Sequence, residues 1–175
     1  MIGAGILIGI LVIVDQLTKY LAKFFLNGKD PFELISNIIT LSYQTNDGAS
    51  FGILSGNRWL FVLITFVALG FFFYLLKSAN LKTKKTYSIG VSLLIAGTIG
   101  NLLDRIFHGG HVIDFLYVHL YDPIMNVFGL DNFYNNFADM FLFVGIFMFA
   151  IDLIFFESKR NKQTRKNGET SNDSI

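Results

Sequence analysis

Four long apolar stretches limit this chain more than any other feature. They run from Ile2 to about Phe25, over Trp59–Leu76, from Tyr87 to about Phe107, and over about Asn136–Phe156. Each is close to the roughly 20 helical residues that cross a hydrocarbon core about 30 Å thick. Only helices and closed barrels satisfy the backbone in lipid, and these runs lack a barrel strand's alternation. The expected fold is an all-α membrane protein with four transmembrane helices, at about 2–25, 59–76, 87–107 and 136–156. Only 15% of the 175 residues are charged, against about a quarter in a soluble domain. One integral-membrane domain is expected over 1–158, and a basic, polar, disordered tail over 159–175. The absence of cysteine excludes disulfides, thiolate metal sites and Cys nucleophiles.

The first stretch reads as a retained helix rather than a cleaved signal peptide. It lacks a basic leading segment, and its apolar run continues past Lys19 without a clear small-x-small site. Basic residues then set the orientation. Lys77, Lys82, Lys84 and Lys85 crowd the connection between the second and third helices, and Lys159, Arg160, Lys162, Arg165 and Lys166 follow the fourth. The connections at 27–58 and 108–135 are poor in cations. The positive-inside rule puts both termini in the cytoplasm and those two long loops outside.

Ionisable groups in membrane helices are costly and therefore informative. Asp15 and Lys19 lie four apart and share a helix face. They read either as an ion pair that makes both charges tolerable or as a pair that fixes a neighbouring loop or the substrate backbone. Asn101, Asp104 and Arg105 form a polar patch at the outer end of the third helix, just after Gly97 and Gly100, which permit close helix contact. An Arg105 that snorkels with Asp104 as its partner accounts for the charges but not for Asn101. Asp114 is isolated in the apolar, extended segment "HVIDFL", where desolvation raises a carboxyl pKa. Asp139 falls in the first turn of the fourth helix, where the helix dipole favours it and Asn136 makes a good N-cap. Asp152, near the cytoplasmic end, reads as an interfacial acid.

Asp114 and Asp139 gain meaning as a pair. Two carboxylates at one site cannot easily both ionise, so one keeps a proton while the other acts as a base. That is the logic of aspartic peptide hydrolysis.

In the segments "DQLTKY" (15–20), "NDGASFGIL" (46–54), "GTIGNLLDRI" (97–106), "HVIDFL" (111–116) and "NFAD" (136–139), the chain resembles the lipoprotein signal peptidases, or signal peptidase II. These are four-helix aspartic proteases of the bacterial inner membrane. The five segments occur in the family's order and spacing, and the resemblance covers nearly all of the chain except its tail. Carried over by position, it makes Asp114 and Asp139 the catalytic dyad. It places Asp15, Lys19, Asn46, Gly48, Asn101, Arg105, Asn136 and Ala138 in the active-site shell, with Asp104 beside it. It implies a small extracytoplasmic β-cradle, a short extracytoplasmic helix and an active site near the outer face. The implied substrate is a prolipoprotein whose lipobox Cys carries diacylglycerol, cut just before that Cys. Membrane lipid and a globomycin-type inhibitor are the other implied partners. The expected enzyme is a monomer with no cofactor, no metal and no nucleic-acid partner. It departs from common family residues at Ser50, Met140 and Asn135, and its second outward loop is somewhat long.

Three other readings compete. Gly48-Ala49-Ser50-Phe51-Gly52 fits the G-x-S-x-G elbow of a serine hydrolase, but the elbow needs a strand-to-helix turn over a sheet, and a rhomboid-like protease needs a membrane-embedded His. His108, His111, Asp114 and His119 could ligate a metal, yet no HExxH is present and Gly109-Gly110 implies a turn. A channel or transporter subunit would place acids at several depths.

Overall fold

A computed structural model describes residues 1–46, 58–128 and 133–160. Its long helices are α1 (Ile2–Leu26), α2 (Arg58–Leu76), α3 (Lys85–Phe107) and α5 (Phe137–Ile151), the last continuing through a π-helical turn at Asp152–Glu157. A short α4 (Asp122–Met125) lies between α3 and α5. The four long helices are long and apolar enough to cross a membrane.

Burial separates their roles. In the most apolar window of α3, 72% of the residues are buried, against 22% in α1, 6% in α2 and 11% from α5 onward. The central helix is therefore α3, and the other three surround it with apolar faces turned outward. Such exposure of Leu63, Phe66, Val67, Phe143 and Phe147 is what lipid solvates. Around α3 the core gathers Ile8, Leu69, Tyr87, Val91 and Ile95.

Polar residues on α3 remain satisfied without water. Ser88, Ser92 and Thr98 donate their hydroxyls to the carbonyls of Lys84, Ser88 and Leu94 at 2.7, 2.7 and 2.6 Å. The helix starts at Lys85, two residues before the apolar run, because Asn80 organises the turn ahead of it. Asn80 Oδ1 accepts the N–H groups of Lys82 and Thr83 at 2.9 and 3.2 Å, and its own N–H donates to Ser88 Oγ at 2.7 Å.

At one end of the bundle sits a four-stranded antiparallel sheet. It is built from β1 (Phe32–Ile35), β2 (Ile39–Asn46), β3 (Val112–Val118) and β4 (Tyr134–Asn135), in that order. The cradle and the short helix implied by the resemblance are thus both present as elements. Gly109 and Gly110 turn the chain from α3 into β3 with φ of 70° and 103°, values that residues with a Cβ seldom adopt.

Register in β2 matters for everything that follows. Leu41 pairs with Leu116, but Gln44 pairs with Asp114, so β2 carries one extra residue between these pairs. A bulge of this kind reverses which side chains share a face. Beyond it Gln44 and Asn46, rather than Tyr43 and Thr45, lie on the face of Asp114.

Candidate active site

The site forms where the sheet meets the C-terminal ends of α1 and α3 and the N-terminus of α5. Its base is a charge network centred on Lys19, which is 1% exposed. The Lys19 ammonium lies 3.0 Å from the Asp15 carboxylate and 2.9 Å from that of Asp104, and donates to Asn101 Oδ1 at 2.9 Å. One buried cation thus faces two buried carboxylates and an amide. Asp15 is both an ion-pair partner and a fastener, because its Oδ1 accepts the Ala138 N–H at the start of α5, at 2.8 Å. Asp104 lies beside the site, as the resemblance implies, and not in the alternative snorkelling pair with Arg105. It is fully buried, and besides Lys19 it accepts the backbone N–H of Ile113 at 3.0 Å, pinning the strand residue next to Asp114. Arg105 packs its guanidinium over the Phe61 ring, 4.9 Å from the centroid, and reaches the Asn101 carbonyl at 3.4 Å.

Small residues make this convergence possible. A Cβ at Gly97 would collide with the Ala138 carbonyl oxygen, and one at Gly100 with the Asp15 carboxylate. α3 can therefore lie against α5 and α1 closely enough for single hydrogen bonds to join them.

Above the network stand the two aspartates. Asp114 is 3% exposed, and both its oxygens are held by amides, Oδ2 by Asn46 Nδ2 at 3.0 Å and Oδ1 by Asn136 Nδ2 at 2.6 Å. The bulge in β2 is what brings Asn46 to this face, diagonal to Asp114 across the ladder. Asp139 receives Asn101 Nδ2 at 2.7 Å and the Asn136 backbone N–H at 3.3 Å. Asn136 Oδ1 in turn accepts the Asp139 N–H at 2.9 Å, closing a capping box at the start of α5. Asn136 is therefore bonded to both carboxylates at once.

The Asp114 carboxyl, ordinarily near 3.8, is pushed up to about 7, first by burial and then by the charge of Asp139, against the opposing pull of Asn46, Asn136 and Lys19. A raised carboxyl pKa means the folded state holds its proton more tightly than the unfolded chain does. This group's contribution to stability is full below about pH 4 and is lost as pH rises through about 7. The thermal unfolding temperature should therefore fall as pH rises across that window in the wild type and clearly less in Asp114→Asn, which has no proton to lose. Parallel pH profiles for the two proteins would contradict this.

Both aspartates open into one cleft of about 420 Å³, which Asn46, Asn101 and Arg105 also line. The remaining walls are Val112, Phe133, Tyr134, Asn135, Leu142 and Phe143. Of the residues expected from the sequence, Asp15, Lys19, Asn46, Asn101, Asp104, Arg105, Asp114, Asn136, Ala138 and Asp139 come together here. Gly48, Ser50 and Phe51 lie outside the described residues. Sequence reasoning passed over Gln16, whose amide donates to Asp15 (3.1 Å), the Gly100 carbonyl (3.1 Å) and Asp104 (3.0 Å). It also passed over the Phe133–Asn135 wall. A Gln in the second position of "DQLTKY" beside two charges was the available signal for the first.

The histidines do not assemble with Asp114 into a metal site. His119 bonds Thr40 at 2.9 Å and lies 3.5 Å from Asp122, while His108 lies 3.9 Å from Asp104. Among the described residues no three His, Cys, Asp or Glu converge in a way that could hold a metal.

Comparison with known proteins matches this architecture to a family. Residues 7–155 match the family model described as signal peptidase (SPase) II. A lipoprotein signal peptidase of Halalkalibacterium halodurans is 34% identical over 158 residues, covering 88% of this chain and 93% of that protein. One from Staphylococcus aureus is 35% identical over 155 residues, covering 87% and 89%. A solved structure described as a bacterial membrane enzyme, determined by the in meso method at 1.9 Å resolution, superposes with a TM-score of 0.73 at 31% identity, covering 89% of this chain and 95% of that one. With a family match over most of its length and an apolar four-helix frame, the chain belongs to the signal peptidase II family of peptidases.

Proposed function

We propose that this protein is an aspartic endopeptidase that removes the signal peptide from diacylglyceryl-modified prolipoproteins, cutting just before the lipidated Cys. The observation that carries the reading is the pair Asp114 and Asp139, tied together through Asn136 and opening into one cleft. One carboxylate takes a proton from water, and the resulting oxygen attacks the scissile carbonyl. The other carboxyl gives its proton to the carbonyl oxygen, forming a tetrahedral diol. As the C–N bond breaks, a proton passes to the leaving nitrogen and frees the amino group of the modified Cys. Because the two groups titrate as a pair, the shared proton belongs to the dyad. Asn46 and Arg105 in the cleft wall supply N–H donors that can hold the substrate backbone.

The setting supports a substrate that arrives through the membrane. A lipid anchor restricts diffusion to the bilayer and raises effective concentration at a cleft on the bundle's end. In this reading the protein is a multi-pass monomer of the bacterial inner membrane, with both termini in the cytoplasm and the cleft near the outer face, needing no cofactor. A globomycin-type cyclic peptide would occupy the same cleft.

The test is cleavage by purified protein of one prolipoprotein in two forms, with and without diacylglycerol on the Cys. The lipidated form should yield a product beginning at the modified Cys, and the unmodified form should be cut at least about 100-fold more slowly, a loss of anchored positioning. Equal rates on both forms would refute the substrate class.

A further inference from the structure

The end of the bundle opposite the aspartates holds a second polar cavity, of about 250 Å³. It lies between the start of α3 and the extension of α5 beyond Ile151. Asp152, expected from the sequence as an interfacial acid, is instead 1% exposed and grips Arg160 through two bonds, at 2.9 and 2.5 Å. Eight residues of regular α-helix overshoot two turns by roughly 80°. The wider π turn at Asp152–Glu157 reduces that overshoot and brings both residues to the cavity wall. The guanidinium is thereby fixed in place by a buried partner.

Lys85 and Lys159 complete the charged lining, so three cations face a single carboxylate. The carboxylate is matched by Arg160, and although Glu157 also lies close enough to act on Arg160, it is outside the lining, so the cavity wall itself carries an excess of positive charge. Thr83 and Thr86 add hydroxyl donors. The first turn of α3, which has no side-chain cap, adds the positive end of its dipole. Taken together, this lining is suited to a phosphate-type anion.

The rim indicates where that anion comes from. Phe156 forms one wall, and its neighbours Ile154 and Phe155 are 67% and 59% exposed on the same apolar helix. Free phosphate gains nothing from such a rim, whereas acyl chains would lie along it. We propose that this cavity binds the phosphate-bearing headgroup of an anionic phospholipid, with the chains against Ile154–Phe156. The site lies where the lysine-rich connection between α2 and α3 meets the end of α5, and basic pockets between helices on the cytoplasmic side suit anionic headgroups. It is independent of the peptidase chemistry.

Native mass spectrometry of the full chain in neutral detergent tests the proposal. The probes are dioctanoyl phosphatidylglycerol, dioctanoyl phosphatidylcholine and inorganic phosphate. Wild-type protein should retain one phosphatidylglycerol in clear preference to phosphatidylcholine, and millimolar phosphate should not displace it. The double variant Lys85→Gln/Lys159→Gln should bind it roughly 25-fold more weakly, since each near-surface lysine is worth about fivefold. Peptidase turnover of that variant in detergent should match the wild type, which shows that it folds. Equal retention of the two lipids, unchanged binding by the double variant, or displacement by phosphate would each overturn the assignment.

Discussion

Asp114→Asn and Asp139→Asn, purified separately, are each expected to keep the helical fold and lose peptidase turnover by at least about 10³-fold, within the range that positioned acid–base groups contribute. The geometry allows folding to be separated from chemistry. An Asn at 114 keeps an oxygen for the amide of Asn136 or Asn46, and an Asn at 139 keeps one for Asn101. Neither can accept a proton from water or return one to the leaving nitrogen. The measurement is the initial rate of cleavage of a lipidated prolipoprotein, with circular dichroism to check the fold. Ser50→Ala, which removes the hydroxyl of the apparent nucleophile elbow, should retain most activity. Wild-type turnover in either Asn variant would refute the dyad.

The largest loss of stability is expected from Lys19→Met. Methionine fills similar space, but it leaves Asp15 and Asp104 facing each other with no cation between them, both fully buried. Removing one partner of a buried ionic cluster costs about 3–5 kcal/mol, because the charges left behind are uncompensated. The triple variant Asp15→Asn/Lys19→Met/Asp104→Asn should regain much of that loss, since no net buried charge remains. Thermal unfolding in detergent measures both. A single variant as stable as the wild type would show that the network contributes less than its burial implies. Activity is expected to fall in the triple variant even when stability returns, because Lys19 no longer holds the Oδ1 of Asn101, whose amide donates to Asp139.

Helices were the most legible part of the sequence, because lipid demands long apolar runs and forbids most alternatives. Asp139 and its Asn136 cap were visible for a similar reason, since helix starts follow local rules. Pairings between elements were less so. Nothing local distinguishes an Asp104 that salt-bridges Arg105 one residue on from one that reaches Lys19 on another helix. The partner was decided by how closely α3 packs, through Gly97 and Gly100. Asp152 was misjudged because the π turn that aligns it with Arg160 leaves no local signature in the sequence. The Phe133–Asn135 wall depends on where β4 pairs with β3, a register that two residues cannot announce by alternation.

The extra residue in β2 has a consequence for how this sheet tolerates change in length. Side chains alternate along a strand, so parity decides contact: the bulge absorbs one odd step between Leu41 and Gln44, and the even step from Gln44 to Asn46 keeps that amide on the face of Asp114. Deleting a single residue at the bulge would only smooth it out, leaving Gln44 opposite Asp114, whereas deleting or inserting one between Gln44 and Asn46 would turn the Asn46 amide to the opposite face. Lengthening the turn between β1 and β2, upstream of that step, leaves the parity untouched. Within one small sheet, therefore, insertions divide into those the chemistry cannot detect and those that would disconnect it.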